Sequence, residues 1–238
     1  KMDNFQIRTD LALEARESVN EEESKLRGVS VEEHYEEEAD LRITKVTIDT
    51  KNAEKMLGKP MGVYVTMEAP AMVEPDDDYH REISEALAEE LLKMMPQEQE
   101  EQSVLVVGLG NRAITPDNIG PKAADQTMVT RHLVERVPEH FGSFRPVAAL
   151  AAGVLGTTGM ESGELVRAVA ETLRPACVIA VDALASRSLR RVCRTIQLAD
   201  TGITPGSGVG NARAALNAET LGVPVIAVGV PTVVDAAT

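Results

Sequence analysis

"VLVVGLGNRAITPDNIGP", residues 104–121, decides how the rest of the chain is read. Its first six residues are apolar at nearly every position, the pattern of a parallel strand buried on both faces. The run closes on Gly108-Leu109-Gly110-Asn111-Arg112-Ala113, which fits the G-x-G-x-x-G/A turn of a dinucleotide-binding loop. That use needs a helix starting inside the motif, with its N-terminus on the pyrophosphate. Here Pro116 keeps Thr115 out of the α region, so the helix starts around Pro116–Asp117. The acidic residue expected about 20 positions on, at the end of a second strand, is missing, and His132 and Glu135 stand there in a helical pattern instead. The competing reading is that the turn presents the carboxylate of Asp117.

The same texture recurs at "ACVIAVDAL" (176–184) and "PVIAVGVP" (224–231), with "RTIQLAD" (194–200) as a further strand. Helical patterns lie between them, at about 118–137, 161–173 and 209–221. This order predicts an α/β fold over 103–238, a mostly parallel sheet sandwiched by helices. Upstream, residues 11–102 read as a small β-containing region packed on that core. "LRITKVTID" (41–49) and "GVYVTMEAP" (62–70) alternate apolar and polar residues, and "LGKP" (57–60) marks a turn between them. "DDDYHREISEALAEELLKMM" (76–95) opens with aspartates suited to an N-cap and places Ile83, Leu87, Leu91 and Leu92 on one helix face. "PQEQEEQ" (96–102) reads as a linker. The acidic runs within residues 1–40 read as solvated helix faces or mobile segments. "VVDAAT" follows a strand directly, so a longer protein is expected.

The 238 residues are 43% hydrophobic and only 3% aromatic, which leaves a core of Val, Ile, Leu, Ala and Met. A net charge of −14 argues against a direct grip on nucleic acid, which needs a basic face. No apolar run reaches the roughly 18–20 residues of a membrane span. Cys177 and Cys193 have no metal spacing, and point to a reducing compartment and buried, inert thiols. His34, His80, His132 and His140 form no ligand motif.

Asp182, in "VIAVDALASRS", ends a buried strand as Asp117 follows one. Ligands of α/β sheets sit beyond the carboxyl ends of parallel strands. Two carboxylates close together cannot both ionise easily, so one becomes an acid while the other stays a base. Such a pair can activate water and protonate a leaving amine. The alternative is that each aspartate caps a helix or turn. "GVLGTTGMESGE" (153–164) and "TGITPGSGVGNARAAL" (201–216) are glycine-rich and lack the G-K-[ST] of a phosphate loop. Each offers backbone N–H groups to a substrate, or is an ordinary helix-initiating turn.

"RTDLALEARE", "GKPMGVYVTMEAP", "TPDNIGP", "AGVLGTTGMES", "VDALASRS" and "GITPGSGVGN" run in that order along the chain. Together they resemble the germination proteases of spore-forming bacteria. The resemblance implies an atypical aspartic endopeptidase of the spore core, homotetrameric and made as a zymogen. It implies degradation of small acid-soluble spore proteins, cutting after an acidic residue that precedes a hydrophobic residue and alanine. It implies a fold similar to the hydrogenase-maturation proteases. Carried over by motif, Asp117 and Asp182 are the catalytic pair, and Gly156, Thr157, Thr158, Gly206, Ser207 and Gly208 line the substrate cleft. The hydrogenase-type relatives bind metal through a carboxylate at the first position and a later histidine. No histidine follows His140 here, so a metal role for the pair is not expected, nor any other cofactor, and a metal-assisted form of the same protease is the alternative. Against the family's usual length, C-terminal residues are expected to be missing. Asp10-Leu11-Ala12 carries the family's cleavage pattern, so residues 1–10 are expected to be a propeptide cut between Asp10 and Leu11. The competing reading has Asp10 as the N-cap of a helix in "LALEARESV".

Overall fold

The computed structural model describes residues 9–18, 28–37, 39–97, 102–207, 210 and 213–234. Its strands are β1 Val29–Glu36, β2 Leu41–Ile48, β3 Gly62–Glu68, β4 Val104–Leu109, β5 Val147–Gly153, β6 Cys177–Ser186, β7 Thr195–Ala199 and β8 Val225–Val234. They form one eight-stranded sheet in the order β1-β2-β3-β7-β8-β6-β4-β5. The pairs β4–β5, β4–β6 and β6–β8 are parallel. The pairs β1–β2, β2–β3, β3–β7 and β7–β8 are antiparallel. The expected mostly parallel sheet is therefore corrected to a mixed one. The N-terminal strands extend it edge to edge, because β7 and β8 run in opposite directions and turn the ladder antiparallel.

The helices are α1 Ala12–Glu17, α2 Lys51–Leu57, α3 Asp77–Met94, α4 Ile119–Gln126, α5 Arg131–Arg136, α6 Pro138–Phe141, α7 Leu155–Thr158, α8 Ser162–Leu173 and α9 Ala218–Leu221. Asp76 caps α3, accepting the N–H groups of Asp78 and Tyr79. On one face of the sheet, Ile83, Leu87 and Leu91 of α3 pack on β2, β3 and β7, and Leu91 and Met94 continue onto β4, β6 and β8. That helix ties the two halves into one body. On the other face α8 covers β4–β6, while α1 and α2 cover β2, β3, β7 and β8.

Three sequence expectations change, and one strand, "VAALAAG", is added. "VSVEEHYE" is the edge strand β1, paired among the described residues only with β2 and mostly exposed. "VAALAAG" is β5, the opposite edge. Among the described residues of 209–221 the expected helix is reduced to α9, because Leu216 pairs with Ile203 in an antiparallel bridge and Arg213 N–H donates to the Pro205 carbonyl. "LGKP" ends a helix as well as turning the chain: Gly58 terminates α2 in the left-handed region. Of the two cysteines, Cys177 is buried and Cys193 exposed, so only the first is shielded.

Candidate active site

The turn after β4 answers the question its glycines raise. Gly110 has φ of 110°, and a Cβ there would stand 2.1 Å from the Asp117 carbonyl oxygen. The glycine lets the chain fold back on the strand end and seat Asp117 there. Asp117 lies in a 3-10 turn, Thr115–Asp117, and α4 starts only at Ile119. Its Oδ2 accepts the Asn111 N–H at 2.7 Å. Thr232 Oγ1, on β8, donates to the Pro116 carbonyl at 2.6 Å and holds the turn over the sheet. The loop thus commits its N–H to a carboxylate of its own chain.

Asp182 is 6% exposed within β6, and its Oδ1 accepts the Ala183 N–H at 2.8 Å. Burial first, then the neighbouring charges of Asp117 and Asp10, push its carboxyl up to about 7, while the Ala183 hydrogen bond works in the other direction. A carboxyl in that range keeps a proton to give near neutral pH. Asp182 pairs in register with Gly229 of β8, and Gly229 with Gln197 of β7. Residues paired across strands share a face. Asp182 and Gln197 therefore point the same way from strands about 10 Å apart, two strand spacings. Gly229 puts no side chain between them, and the first residues of α1 lie on this face.

Asp10 occupies the space. Its Oδ1 accepts from Ser207 Oγ and its Oδ2 from the Ala185 N–H, both at 2.8 Å. Its own N–H donates to the Ala185 carbonyl at 2.9 Å. The N-cap of α1 is Leu11, with no side-chain cap bond, so the capping role considered for Asp10 is not what its carboxylate does. Leu11 is fully buried, and Ala12, Leu13, Glu14 and Ala15 are buried with it. Glu14 accepts from the Thr9 hydroxyl at 2.5 Å and from the N–H groups of Arg187 and Ser188 at 2.6 and 3.0 Å, and it pairs with Arg191 at 3.2 Å. Arg191 also forks onto Glu17 and reaches Glu68, each at 2.8 Å. The hydrogen bond to Glu17 leads the contacts that raise Arg191 further above its ordinary value. The chain is thus tied down on both sides of the Asp10–Leu11 bond.

A cavity of about 590 Å³ takes in Asp10, Lys59, Asp117, Asp182, Gln197 and Ser207. Gly206 lines it as well. Gly156, Thr157 and Thr158 lie in α7, outside that lining, and the two threonine hydroxyls donate to the Val154 carbonyl of their own turn. Gly153 and Val154, just before them, do line the cavity. Gly208 lies outside the described residues, as do residues 1–8. Sequence reasoning missed Lys59, Gln197, Glu14 and Arg191. Gln197 carried a readable signal, a lone amide inside the apolar strand "TIQLA".

The family model of the germination proteases matches residues 7–238. The chain belongs to the germination protease family. A germination protease of Caldanaerobacter subterraneus subsp. tengcongensis is 50% identical over 233 residues, covering 98% of this chain and 70% of the relative. One of Clostridium perfringens is 48% identical over 239 residues, covering 98% and 72%. One of Bacillus cytotoxicus is 44% identical over 241 residues, covering 99% and 65%. Germination protease membership makes the chain a peptide-bond hydrolase of spore germination. No helix among the described residues is long and apolar enough to cross a membrane.

Proposed function

We propose that the chain is the endopeptidase that begins degradation of small acid-soluble spore proteins in the spore core at germination. In this reading it is an aspartic-type enzyme, made as a zymogen and acting as a homotetramer, with a fold akin to the hydrogenase-maturation proteases. It cuts after Asp or Glu that precedes a hydrophobic residue and alanine. Asp117 is the base that takes a proton from water, and Asp182 is the acid that protonates the departing amine. Residues 1–10 are the propeptide, and the enzyme releases it itself between Asp10 and Leu11. Gly206 and Ser207 belong to the wall that holds the acidic side chain. Gly156, Thr157, Thr158 and Gly208 are further substrate-binding residues in this reading.

One observation carries the reading: Asp10, which opens the acidic-hydrophobic-alanine sequence Asp10-Leu11-Ala12, lines the same cavity as Asp117 and Asp182. This supports reading the chain's own segment as a stand-in for substrate. The two aspartates differ as an acid–base pair must, Asp182 deeply buried with its proton held to about pH 7 and Asp117 half-buried beneath a backbone N–H donor. The test is digestion of a purified small acid-soluble spore protein by the mature enzyme and by its Asp117→Asn and Asp182→Asn variants. Both variants are expected to be inactive while folded. Near-parental digestion by either removes that aspartate from the mechanism.

A further inference from the structure

Two side chains outside the acid–base pair reach the backbone of the Asp10–Leu11 bond. Lys59 Nζ donates to the carbonyl oxygen of Asp10 at 2.9 Å and to that of Thr9 at 3.1 Å. Gln197 Nε2 donates to the same Asp10 oxygen at 3.1 Å, and Gln197 Oε1 accepts the Ala12 N–H at 2.7 Å. One amide therefore spans Leu11 and fixes the chain on either side of it. Gln197 is buried within β7, and Lys59 follows the Gly58 turn that ends α2. Burial pushes the Lys59 ammonium below its ordinary value, with the charges of Asp10 and Glu14 opposing that shift.

A carbonyl that takes two fixed side-chain donors is held as an oxyanion would be. Donors for a tetrahedral intermediate stand about 2.7–3.1 Å from the oxygen that gains charge. Ser207 Oγ and the Ala185 N–H meanwhile hold the acidic side chain one bond away. Two donors thus serve the side chain, and two others serve the reacting carbonyl.

We propose that Lys59 and Gln197 are catalytic residues, the carbonyl-polarising pair for the Asp10–Leu11 bond. They grip only backbone, so they serve any acidic-hydrophobic-alanine segment laid in the same place. The proposal rests on the reading of Asp117 as base and Asp182 as acid. In the step, water oxygen bonds to the Asp10 carbonyl carbon while Asp117 takes one water proton. The carbonyl π electrons move to the oxygen, where Lys59 and Gln197 face the new charge. Those electrons return, the carbon–nitrogen bond breaks, and Asp182 gives its proton to the Leu11 nitrogen. One water is consumed, Asp10 ends in a carboxyl group and Leu11 in an amine. Transfer of the proton from Asp117 to Asp182 restores the pair.

The experiment follows first-order self-cutting of the uncut chain in Lys59→Met and Gln197→Met, with circular dichroism to confirm folding. Each variant is expected to cut about 10²–10³-fold more slowly, the usual loss of one oxyanion donor. A second readout uses the Asp117→Asn chain with ¹³C-carbonyl Asp and ¹⁵N Leu. Only the pairs Asp10-Leu11 and Asp40-Leu41 are then doubly labelled. The Asp10 carbonyl signal is expected to move upfield when Lys59 or Gln197 is replaced, as a carbonyl does on losing a donor. Cutting within about threefold of the parent overturns the proposal, as does slowed cutting with that signal unmoved. Should Lys59→Met not fold, Gln197→Met alone decides. If aspartate variants still cut, the acid–base reading fails; if they are dead while both methionine variants cut normally, only this proposal fails.

Discussion

In the proposed mechanism the two halves of the sheet divide the chemistry. The parallel half, β5-β4-β6-β8, carries Asp117 beyond β4 and Asp182 within β6. The antiparallel half, β7-β3-β2-β1, carries Gln197 on β7 and, between β2 and β3, Lys59. Parallel strands end together, so their carboxyl ends can gather groups from distant points in the sequence. Antiparallel strands give a broad, half-buried face on which a segment such as α1 can lie, through Ala12 against Val46, Ile48 and Tyr64. The seam between β7 and β8 is where the two meet, with Gly229 between Asp182 and Gln197. In the proposed mechanism, proton chemistry comes from one side of that seam, and the grip on the Asp10–Leu11 carbonyl comes from Lys59 and Gln197 on the other.

The largest effect is expected on the parallel side. Asp117→Asn and Asp182→Asn are each expected to lower proteolysis by about 10³-fold or more, since members of one acid–base unit fail together. Asp182→Asn is expected also to stabilise the fold, in a pH-dependent way. The folded chain holds the Asp182 proton to about pH 7, against 3.8 for the free group. Between those values the folded state binds more protons than the unfolded, so the wild-type stability linked to this group is full below about pH 4 and lost as pH rises to 7. The variant is therefore expected to gain up to about 4 kcal/mol at pH 8 and nothing below pH 4. Thermal unfolding at both pH values measures it, and an equal shift at both would remove the raised carboxyl from the account.

Gly110→Ala comes next. Its Cβ would meet the Asp117 carbonyl oxygen at 2.1 Å, so the turn must shift and the carboxylate with it. A misplacement of about 1 Å costs on the order of 10²-fold in rate. A parental turnover number on spore protein would show that the glycine does not set Asp117.

On the antiparallel side, Arg191→Ala is expected to act on stability before chemistry. It leaves Glu14, 2% exposed, without its cation and frees Glu17 and Glu68. Breaking a buried pair from one side costs about 3–5 kcal/mol. Denaturant unfolding measures this loss, and the spore-protein turnover number of the folded variant is expected to stay near parental. A variant as stable as the parent but catalytically dead would erase the division of labour between the halves. The mildest effect is that of pH on self-cutting. The rate is expected to fall about tenfold per pH unit above 7, as Asp182 loses the proton it must donate. A rate that keeps rising past pH 8 would reverse the assignment of acid and base.

The parallel half was the more legible in the sequence, and the reason is physical. Strands buried on both faces must be apolar throughout, so β4, β6 and β8 announce themselves. The edge strand β1 is acidic and exposed, and only its pairing with β2 makes it a strand. "VAALAAG" has weak β preference, and tertiary pairing with β4 overrides it. The residues of 209–221 look helical locally, yet the Ile203–Leu216 bridge takes the backbone bonds a helix would use. At the site, Asp117 could be found because it follows a strand end; Asp182, expected at the end of a strand, lies within β6, one residue past its last pairing with β4. Lys59 could not, since a lysine in a turn is ordinary until the fold brings Asp10 to it from 49 positions away.

The most direct measurement is the N-terminal sequence of the chain after incubation near pH 6, where Asp182 holds its proton. The account predicts a single new N-terminus at Leu11, formed by the parent and absent from the Asp117→Asn/Asp182→Asn double variant. A product beginning elsewhere, or a double variant that still processes itself, would contradict it.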